Sequence, residues 1–319
     1  MTEAPGAAPG PEPGSGAVLV MGEALIDLVP VAGDAQEHRA QPGGAPANVA
    51  TGLARLATPS WFAGALGNDG FARSIERRLV SAGVELGLCV RPELPTALAV
   101  ADPGPQGTGY HFHLLRTATF QLPERTDVER FAAVYVGGLA AVVEPAASAV
   151  ATTARAAAAG GPLLVVDPNV REDRTLDAAG GAEKLRELCE LGQVVKASDE
   201  DLAHLWPDST PDETCRRLAA GGALVVLTRG SRGSTAYTGS AEPVSVPAVP
   251  VEVVNTIGAG DAFMAAMITW LVLDGVQPGG GVRELGRAQA LEMLGFASRV
   301  AASVVAQAGT EPSLAQARV

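Results

Sequence analysis

Short apolar runs alternate with longer amphipathic stretches along most of the chain. Continuous apolar runs predict buried strands at residues 17–21, 61–66, 132–136, 163–166, 194–195, 223–227 and 251–254. Helical spacing of apolar residues predicts helices at 45–56, 71–80, 145–159, 181–191 and 211–219. In the second of these, Arg73, Glu76, Arg77 and Arg78 occupy the face opposite the apolar stripe. Buried strands that alternate with helices are typical of an α/β fold with a parallel sheet covered on both faces.

Two segments depart from this alternation. Residues 27–42 follow the first strand without a helix, and residues 96–115 contain two strand-like pieces around a turn-rich centre. In the second piece Tyr110, Phe112 and Leu114 share one face, whereas His111 and His113 share the other, exposed one. We expect both segments to form a small β lobe over the carboxyl edge of the sheet, where open α/β sheets bind ligands.

Composition and charge narrow the class of protein. The 319 residues include 23 Lys plus Arg against 35 Asp plus Glu, a net charge of −12 without a basic cluster, which argues against nucleic-acid or anionic-membrane partners. Cys89, Cys189 and Cys215 have neither zinc-site nor disulfide spacing, as expected in a reducing cytoplasm. The longest apolar run is too short for a membrane span. Residues 1–16, rich in Pro and Gly, predict a disordered tail before one domain at 17–319.

The segment from residue 251 to residue 271 carries the clearest chemistry. A strand-like run is followed by Gly258-Ala259-Gly260-Asp261 and then by a helical pattern. The glycines permit a tight turn, and the N–H groups at the start of a helix form an anion site. Asp261 beside that site suits proton transfer to or from a ligand, although a simple turn capped by Asp261 explains the same residues. The chain lacks the GxxxxGK pattern of a P-loop.

This segment resembles the second signature of the ribokinase-like (PfkB-type) carbohydrate kinases. Residues 43–48 (GGAPAN) are similar to the early signature, and residues 67–71, 228–233 and 309–313 resemble further family motifs in the family's order. The resemblance extends from residue 22 to residue 313. It implies a three-layer α/β/α sandwich with a mainly parallel central sheet and a small β lid, here near residues 27–42 and 96–115. It also implies ATP and Mg²⁺ as cofactors.

The resemblance assigns roles to individual residues. Sugar binding would involve Asp27, Gly43, Gly44, Asn48, Arg116 and Arg171; catalysis would involve Gly258, Ala259, Gly260 and Asp261; nucleotide binding would involve Lys196, Thr228, Gly230, Gly233 and Ser298. Asp261 would take the proton from the attacking hydroxyl. An aspartate is a weak base, and a helix N-terminus weakens it further. A loose phosphoryl transition state tolerates this, because the proton moves late.

Residues 22–29 and 167–171 look most like those of bacterial fructokinases, which implies fructose or a related ketose as substrate. The 2-keto-3-deoxygluconate kinases share both stretches, and Arg116 or Arg171 would then pair with the carboxylate of the substrate. A non-catalytic sugar-binding relative is a second alternative. A nucleoside kinase, with Tyr110 or Phe112 stacking on the base, ranks lower.

Two stretches depart from the family pattern. Asn255 stands where the family usually has an Asp at a monovalent-cation site, so activation by K⁺ is in doubt. Residues 196–201 (KASDED) replace the NxxE pattern tied to Mg²⁺, and Glu200 is interpreted as an ordinary first-turn helix acid. Exposed strands of the lobe invite pairing between two subunits, so we also expect a homodimer through the β lid.

Overall fold

The computed structural model describes residues 13–14, 16–31, 34–104, 107–171, 176, 178–239, 242–275, 282, 285–307 and 312. The tail predicted for residues 1–16 and the motif at 309–313 lie almost wholly outside these ranges. No helix within them is long and apolar enough to cross a membrane.

The described elements alternate as expected for an α/β fold. The strands are β1 (Val18–Met21), β2 (Leu25–Val31), β3 (Asp34–Gly43), β4 (Ser60–Ala63), β5 (Leu98–Gly104), β6 (Gly107–His113), β7 (Ala133–Gly137), β8 (Leu163–Asp167), β9 (Val194–Ser198), β10 (Leu224–Thr228), β11 (Ser234–Thr238) and β12 (Val244–Val246). The helices are α1 (Ala45–Arg55), α2 (Gly70–Ala82), α3 (Ala146–Ala159), α4 (Ala178–Leu191), α5 (Asp199–Leu205), α6 (Pro211–Ala220), α7 (Ala259–Trp270) and α8 (Arg287–Val305).

Eight strands of the described ranges form a central sheet in the order β12-β11-β10-β9-β8-β7-β1-β4. The strands from β10 to β4 run parallel, and β11 and β12 add an antiparallel edge. Successive strand residues face opposite layers: Leu19 and Met21 pack in the core with α3 to α6, whereas Val18 and Val20 pack with α1, α2, α7 and α8. Because helices cover both faces, the central strands β1, β7, β8, β9 and β10 are almost wholly buried, and the predicted fold class is confirmed.

One predicted strand is wrong. Residues 251–254 form no strand, and the side chains of Val251, Val253 and Val254 are exposed. The amides of Val254 and Asn255 instead donate to the carbonyl oxygen of Val305, at the end of α8. An apolar run alone does not separate a buried strand from a loop whose valines line a cavity.

A second sheet lies where the small lobe was expected. Its order is β3-β2-β5-β6, with β2 antiparallel to β3 and parallel to β5. The β2–β3 hairpin leaves the central sheet just after β1 and returns at Gly44, which has φ +97° and precedes α1. A Cβ atom on Gly44 would lie 2.7 Å from the carbonyl oxygen of Glu23, so the two ends of the hairpin touch.

Candidate active site

Two cavities meet at the carboxyl edge of the central sheet. The first, of about 510 Å³, lies between that edge and the second sheet and is lined by charged and amide side chains; we call it the polar cavity. The second, of about 570 Å³, is lined mostly by valine, alanine and glycine and is called the apolar cavity. Thr228, Thr256 and Gly260 line both. A group bound in one cavity can therefore reach a ligand in the other.

The N-terminus of α7 lies at this junction. Gly258 caps the helix with φ +79°, a left-handed conformation that glycine adopts without strain. Asp261 is the third helical residue and its side chain faces the polar cavity. The amide of Ala259 donates to the carbonyl of Thr256 at 3.3 Å, so the first-turn N–H groups of Gly260 and Asp261 are the better anion donors. The helix N-terminus and the carboxylate of Asp261 thus lie side by side, which is the geometry that the sequence analysis expects of an anion site next to a carboxylate.

Asp261 is buried and held by a neighbouring amide. Its Oδ2 accepts a hydrogen bond of 2.8 Å from Nδ2 of Asn48. Burial raises the pKa of the Asp261 carboxyl above its ordinary value, while the bond from Asn48 and the charges of Lys196, Arg171 and Arg78 oppose that rise. The direction is opposite to the weakening expected from the helix terminus alone, so Asp261 is a stronger base than its position in the sequence suggests.

Lys196 supplies a positive charge at the same junction. Its Nζ donates to Oδ2 of Asp167 at 2.9 Å, and both side chains are buried. The same Nζ lies 3.4 Å from the position that a Cβ on Gly260 would occupy, so the ammonium faces the start of α7. Burial lowers the pKa of Lys196, but Asp167, Asp201 and Asp261 together raise it above the ordinary value. Lys196 therefore stays charged.

Four of the six predicted sugar-binding residues line the polar cavity, and Gly43 packs against the carboxylate of one of them, Asp27. Asp27 lies on β2, and a Cβ on Gly43 would lie 1.9 Å from its Oδ2, so Gly43 leaves room for that carboxylate. Burial raises the pKa of Asp27 to about 6, which the charge of Arg171 opposes. Gly44, Asn48 and Arg171 line the same cavity. Tyr110 and Phe112 line it too, with ring centroids 6.1 Å apart, whereas His111 and His113 are exposed, as predicted.

Arg116, by contrast, lies away from the site. It is exposed in the turn after β6, has φ +56°, and lines neither cavity. The structure therefore does not bring Arg116 to the site. The motif order located the turn along the chain but not the direction of its side chains.

Glu23 is a residue of the site that sequence reasoning missed. It is only 2% exposed, lines the polar cavity, and accepts bonds from the amides of Leu139 (3.3 Å) and Ala140 (2.9 Å). Burial raises its pKa to about 7, against the bonds from those amides and the charge of Arg171. A Cβ on Gly138 would lie 2.6 Å from its Oε1, so glycine is required beside it. The available signal was an acid two residues after the end of a buried strand.

Asp201 joins two parts of the cavity wall. Its Oδ2 accepts from the amide of Ser198 at 2.8 Å within a capping box, and its Oδ1 accepts from the amide of Val170 at 2.9 Å. These bonds fix the loop that carries Arg171 against the start of α5. Glu200 lies in the first turn of that helix with an exposed side chain, in agreement with its interpretation as a helix acid.

Four of the predicted nucleotide-binding residues, Thr228, Gly230, Gly233 and Ser298, line the apolar cavity. Gly233 has φ +88°, and a Cβ on it would lie 2.2 Å from the carbonyl oxygen of Val246. Gly230 has φ +54° but open space around it. Lys196, the fifth predicted residue, lies instead on the polar cavity beside the junction.

The described carboxylates do not build a dedicated metal cage. Over the described ranges, no group of three His, Cys, Asp or Glu side chains is placed to hold a metal ion. One carboxylate oxygen of Asp167 already accepts from Lys196, and both of Asp201 accept backbone amides. A resident metal site of protein ligands alone is therefore not present in this part of the chain.

The fold and the junction of two cavities at a helix N-terminus define a phosphotransferase of the ribokinase-like class. The model of the pfkB family of carbohydrate kinases matches residues 16–317, and the chain belongs to that family. It is 31% identical to the fructokinase of Klebsiella pneumoniae over 272 residues, which cover 82% of this chain and 86% of that one.

Two solved structures have the same fold over nearly the whole chain. Fructokinase from Xylella fastidiosa with bound ATP superposes with a TM-score of 0.86 at 26% identity, covering 95% of this chain and 97% of that one. Fructokinase from Vibrio cholerae O395, with fructose, ADP and calcium bound, gives a TM-score of 0.81 at 27% identity with the same coverage. The sandwich and the small second sheet implied by the resemblance are thereby confirmed.

Proposed function

We propose that the chain transfers the γ-phosphate of ATP to a hydroxyl group of fructose or a related ketose. The observation that carries this proposal is the junction at α7, where Asp261 faces the polar cavity while Gly260 lines both cavities. The solved relatives support it, since one binds ATP and another binds fructose and ADP.

The polar cavity has the donors and acceptors that a sugar requires. Asp27 and Glu23 accept hydrogen bonds from hydroxyl groups, Arg171 donates to them, and an amide such as Asn48 does both. Asp261, held by Asn48, accepts the proton of the attacking hydroxyl. Its raised pKa makes that transfer easier than an ordinary aspartate would.

The transferred phosphate is stabilised by groups that are fixed before it arrives. The N–H groups of Gly260 and Asp261 point out of the start of α7, and the ammonium of Lys196 faces the same place. A Mg²⁺ ion would be held mainly by nucleotide phosphates, and the exposed carboxylate of Glu200, which lines the polar cavity, would be available to it. When bound, that ion neutralises phosphate charge.

The apolar cavity suits the base of the nucleotide. Val251, Val253 and Ala302 present apolar surface, and Gly230 and Gly233 let the backbone approach closely. None of these contacts depends on a charged side chain, so the nucleotide is recognised mainly through shape and backbone groups.

The charges of the polar cavity favour a neutral sugar over 2-keto-3-deoxygluconate. Glu23, Asp27 and Asp261 all line it, and the charge of Arg171 lowers the pKa of each of them. Lys196 is paired with Asp167. An acidic substrate would add a further carboxylate to a cavity that already has Glu23, Asp27 and Asp261 on its wall.

An ADP-release screen with fructose, ribose, 2-keto-3-deoxygluconate and adenosine tests the proposal. We expect the highest kcat/KM with fructose or a related ketose. Asp261→Asn keeps the shape and removes the base, so kcat should fall roughly 10²- to 10⁴-fold. Unchanged turnover by Asp261→Asn would exclude a catalytic base there. Sugar binding by calorimetry without turnover of any substrate would favour a non-catalytic relative.

We also propose that two subunits pair through the second sheet and that the protein works in the cytoplasm. Residues 37–40 of edge strand β3 and His111 and His113 of edge strand β6 are exposed, and unpaired strand edges accept partner strands. The three cysteines are free, in keeping with a reducing compartment. Light scattering that gives the mass of one 32.3 kDa chain across micromolar concentrations would refute the dimer.

A further inference from the structure

Arg78 lies outside both cavities but is connected to the base. It belongs to the second half of α2, on the face that the sequence pattern assigns to surface charges. Its Nη1 donates to Oδ1 of Asn48 at 2.9 Å and to the carbonyl oxygen of Pro42 at 2.8 Å. Asn48 in turn donates from Nδ2 to Asp261 at 2.8 Å. A continuous chain of hydrogen bonds thus links α2, α1 and α7.

The chemistry of the two outer groups determines how the central amide is oriented. A guanidinium only donates, so the Asn48 atom facing Arg78 must be the carbonyl oxygen. The NH₂ group then faces Asp261, where an ionised carboxylate only accepts. Without Arg78 the amide can rotate by half a turn, and its oxygen would then lie against the carboxylate of Asp261. Such a contact repels the ionised base.

We propose that Arg78 is a positioning residue for the phosphoryl transfer: it fixes the amide of Asn48 so that Asn48 holds the carboxylate of Asp261 in its productive orientation. The bond to Pro42 adds the end of β3 to the same arrangement, because Pro42 immediately precedes the Gly43-Gly44 pair of the sugar site. This inference rests on the proposed function for its kinetic readout.

The charged surroundings of Asp261 set the expected pH effect. The charged or titratable groups that act on it are Arg78 on α2, Lys196 on β9, Arg171 after β8, Asp27 on β2, Asp167 on β8 and Tyr135 on β7. Arg78 and the Asn48 bond both lower the pKa of Asp261. Their loss should raise it, so the acid limb of the kcat profile should move to higher pH.

The variants are Arg78→Met, Arg78→Lys, and Arg77→Met as a matched control, because Arg77 is the exposed neighbour on the same helix. We expect Arg78→Met to lower kcat about tenfold, with the acid limb moved up and the KM for ATP within about twofold. One nitrogen of Arg78 donates to both Asn48 and Pro42, so a single ammonium can replace it in these two bonds. The kcat of Arg78→Lys should therefore stay within about threefold of that of the natural protein. Arg77→Met should match the natural protein.

A double-mutant cycle separates positioning from general stability. If Arg78 acts through Asn48, adding Arg78→Met to Asn48→Ala should change kcat less than about twofold. Fully additive losses, or an acid limb that does not move while the melting temperature falls, would overturn the proposal. Arg78→Lys keeps the positive charge and therefore tests whether the fall in kcat of Arg78→Met comes from a general loss of stability.

A measurement without turnover keeps this inference distinct from the proposed function. The Asp261 carboxyl can be titrated by ¹³C NMR in the unliganded full chain, assigned with Asp261→Asn. A titration that moves to higher pH in Arg78→Met, and moves less when Asn48→Ala is already present, supports positioning through Asn48 even if no sugar is phosphorylated, in which case the proposed function fails alone. An unmoved titration, or an equal shift with and without Asn48→Ala, overturns the positioning role even in an active kinase.

Discussion

The two cavities at the carboxyl edge of the sheet recognise ligands by different means. The polar cavity contains Glu23, Asp27 and Arg171, whose charges are coupled, and Glu23 is held by two backbone amides. Among the described residues that line the apolar cavity, no side chain titrates, and small residues provide its surface. The first depends on individual groups, and the second depends on shape. Substitutions should therefore affect sugar and nucleotide separately.

The largest difference between the effects on the KM for the sugar and the KM for ATP is expected for Arg171→Met. Arg171 lines the polar cavity and acts on both Glu23 and Asp27. Loss of hydrogen bonds from a charged donor should raise the KM for the sugar roughly 10- to 100-fold. The KM for ATP, measured at saturating sugar, should stay within about twofold. An equal rise in both constants would show that the cavities are not independent.

A glycine pair tests the apolar cavity. In Gly233→Ala the new Cβ meets the backbone of Val246 in a left-handed conformation, so the KM for ATP should rise about tenfold. Gly230→Ala has a similar φ but open space, so its effect should be about threefold or less. Both are measured with the same coupled assay. A larger effect of Gly230→Ala than of Gly233→Ala would contradict the steric argument.

The two cavities should also differ in their response to pH. Glu23 has a pKa of about 7 and Asp27 of about 6, so both gain protons as the pH falls from 8 to 6. Protonation removes acceptors for sugar hydroxyls, and the KM for the sugar should rise severalfold over this range. The KM for Mg-ATP should change less, because no described residue of its cavity titrates. Parallel changes in both constants would refute this contrast.

Stability measurements test the direction of the pKa shift of Glu23 independently of activity. Its pKa rises from 4.5 to about 7 on folding, so its stabilising contribution is full below pH 4.5 and is lost as the pH rises through 7. In Glu23→Gln this loss is absent. Between pH 5 and pH 8 the difference in unfolding free energy, variant minus natural protein, should therefore increase by up to about 3 kcal/mol. Exposed Glu85→Gln, the control, should show no such trend in urea titrations.

The smallest effect is expected from K⁺. Oδ1 of Asn255 accepts from the amide of Ile257 at 3.0 Å, and the side chain carries no charge. We expect replacement of Na⁺ by K⁺ to change kcat less than about twofold, measured at constant ionic strength. Strong activation would show that backbone oxygens bind the ion without a carboxylate at this position.

The fold was largely predictable because parallel strands buried on both faces leave continuous apolar runs. The strand predicted at residues 251–254 is wrong, because valines of this segment line a cavity rather than the core. Within the site, motifs located Asp27, Asn48 and Asp261. Glu23 and Arg78 were missed, because a lone acid after a strand and an arginine on a polar helix face look like surface residues. Their roles depend on partners far away in sequence.

The contact between Gly44 and the carbonyl of Glu23 has a mechanical consequence. The β2–β3 hairpin enters and leaves the body of the protein at one point, with its two roots already touching. Because the roots already touch, the base of the hairpin cannot narrow, and a movement of the hairpin together with the paired strand β5 would be a rotation about this point. Asp27 lies on the hairpin, in β2, whereas Asn48 lies outside it, in α1. A rotation of the hairpin would therefore change the distance between these two residues of the sugar site.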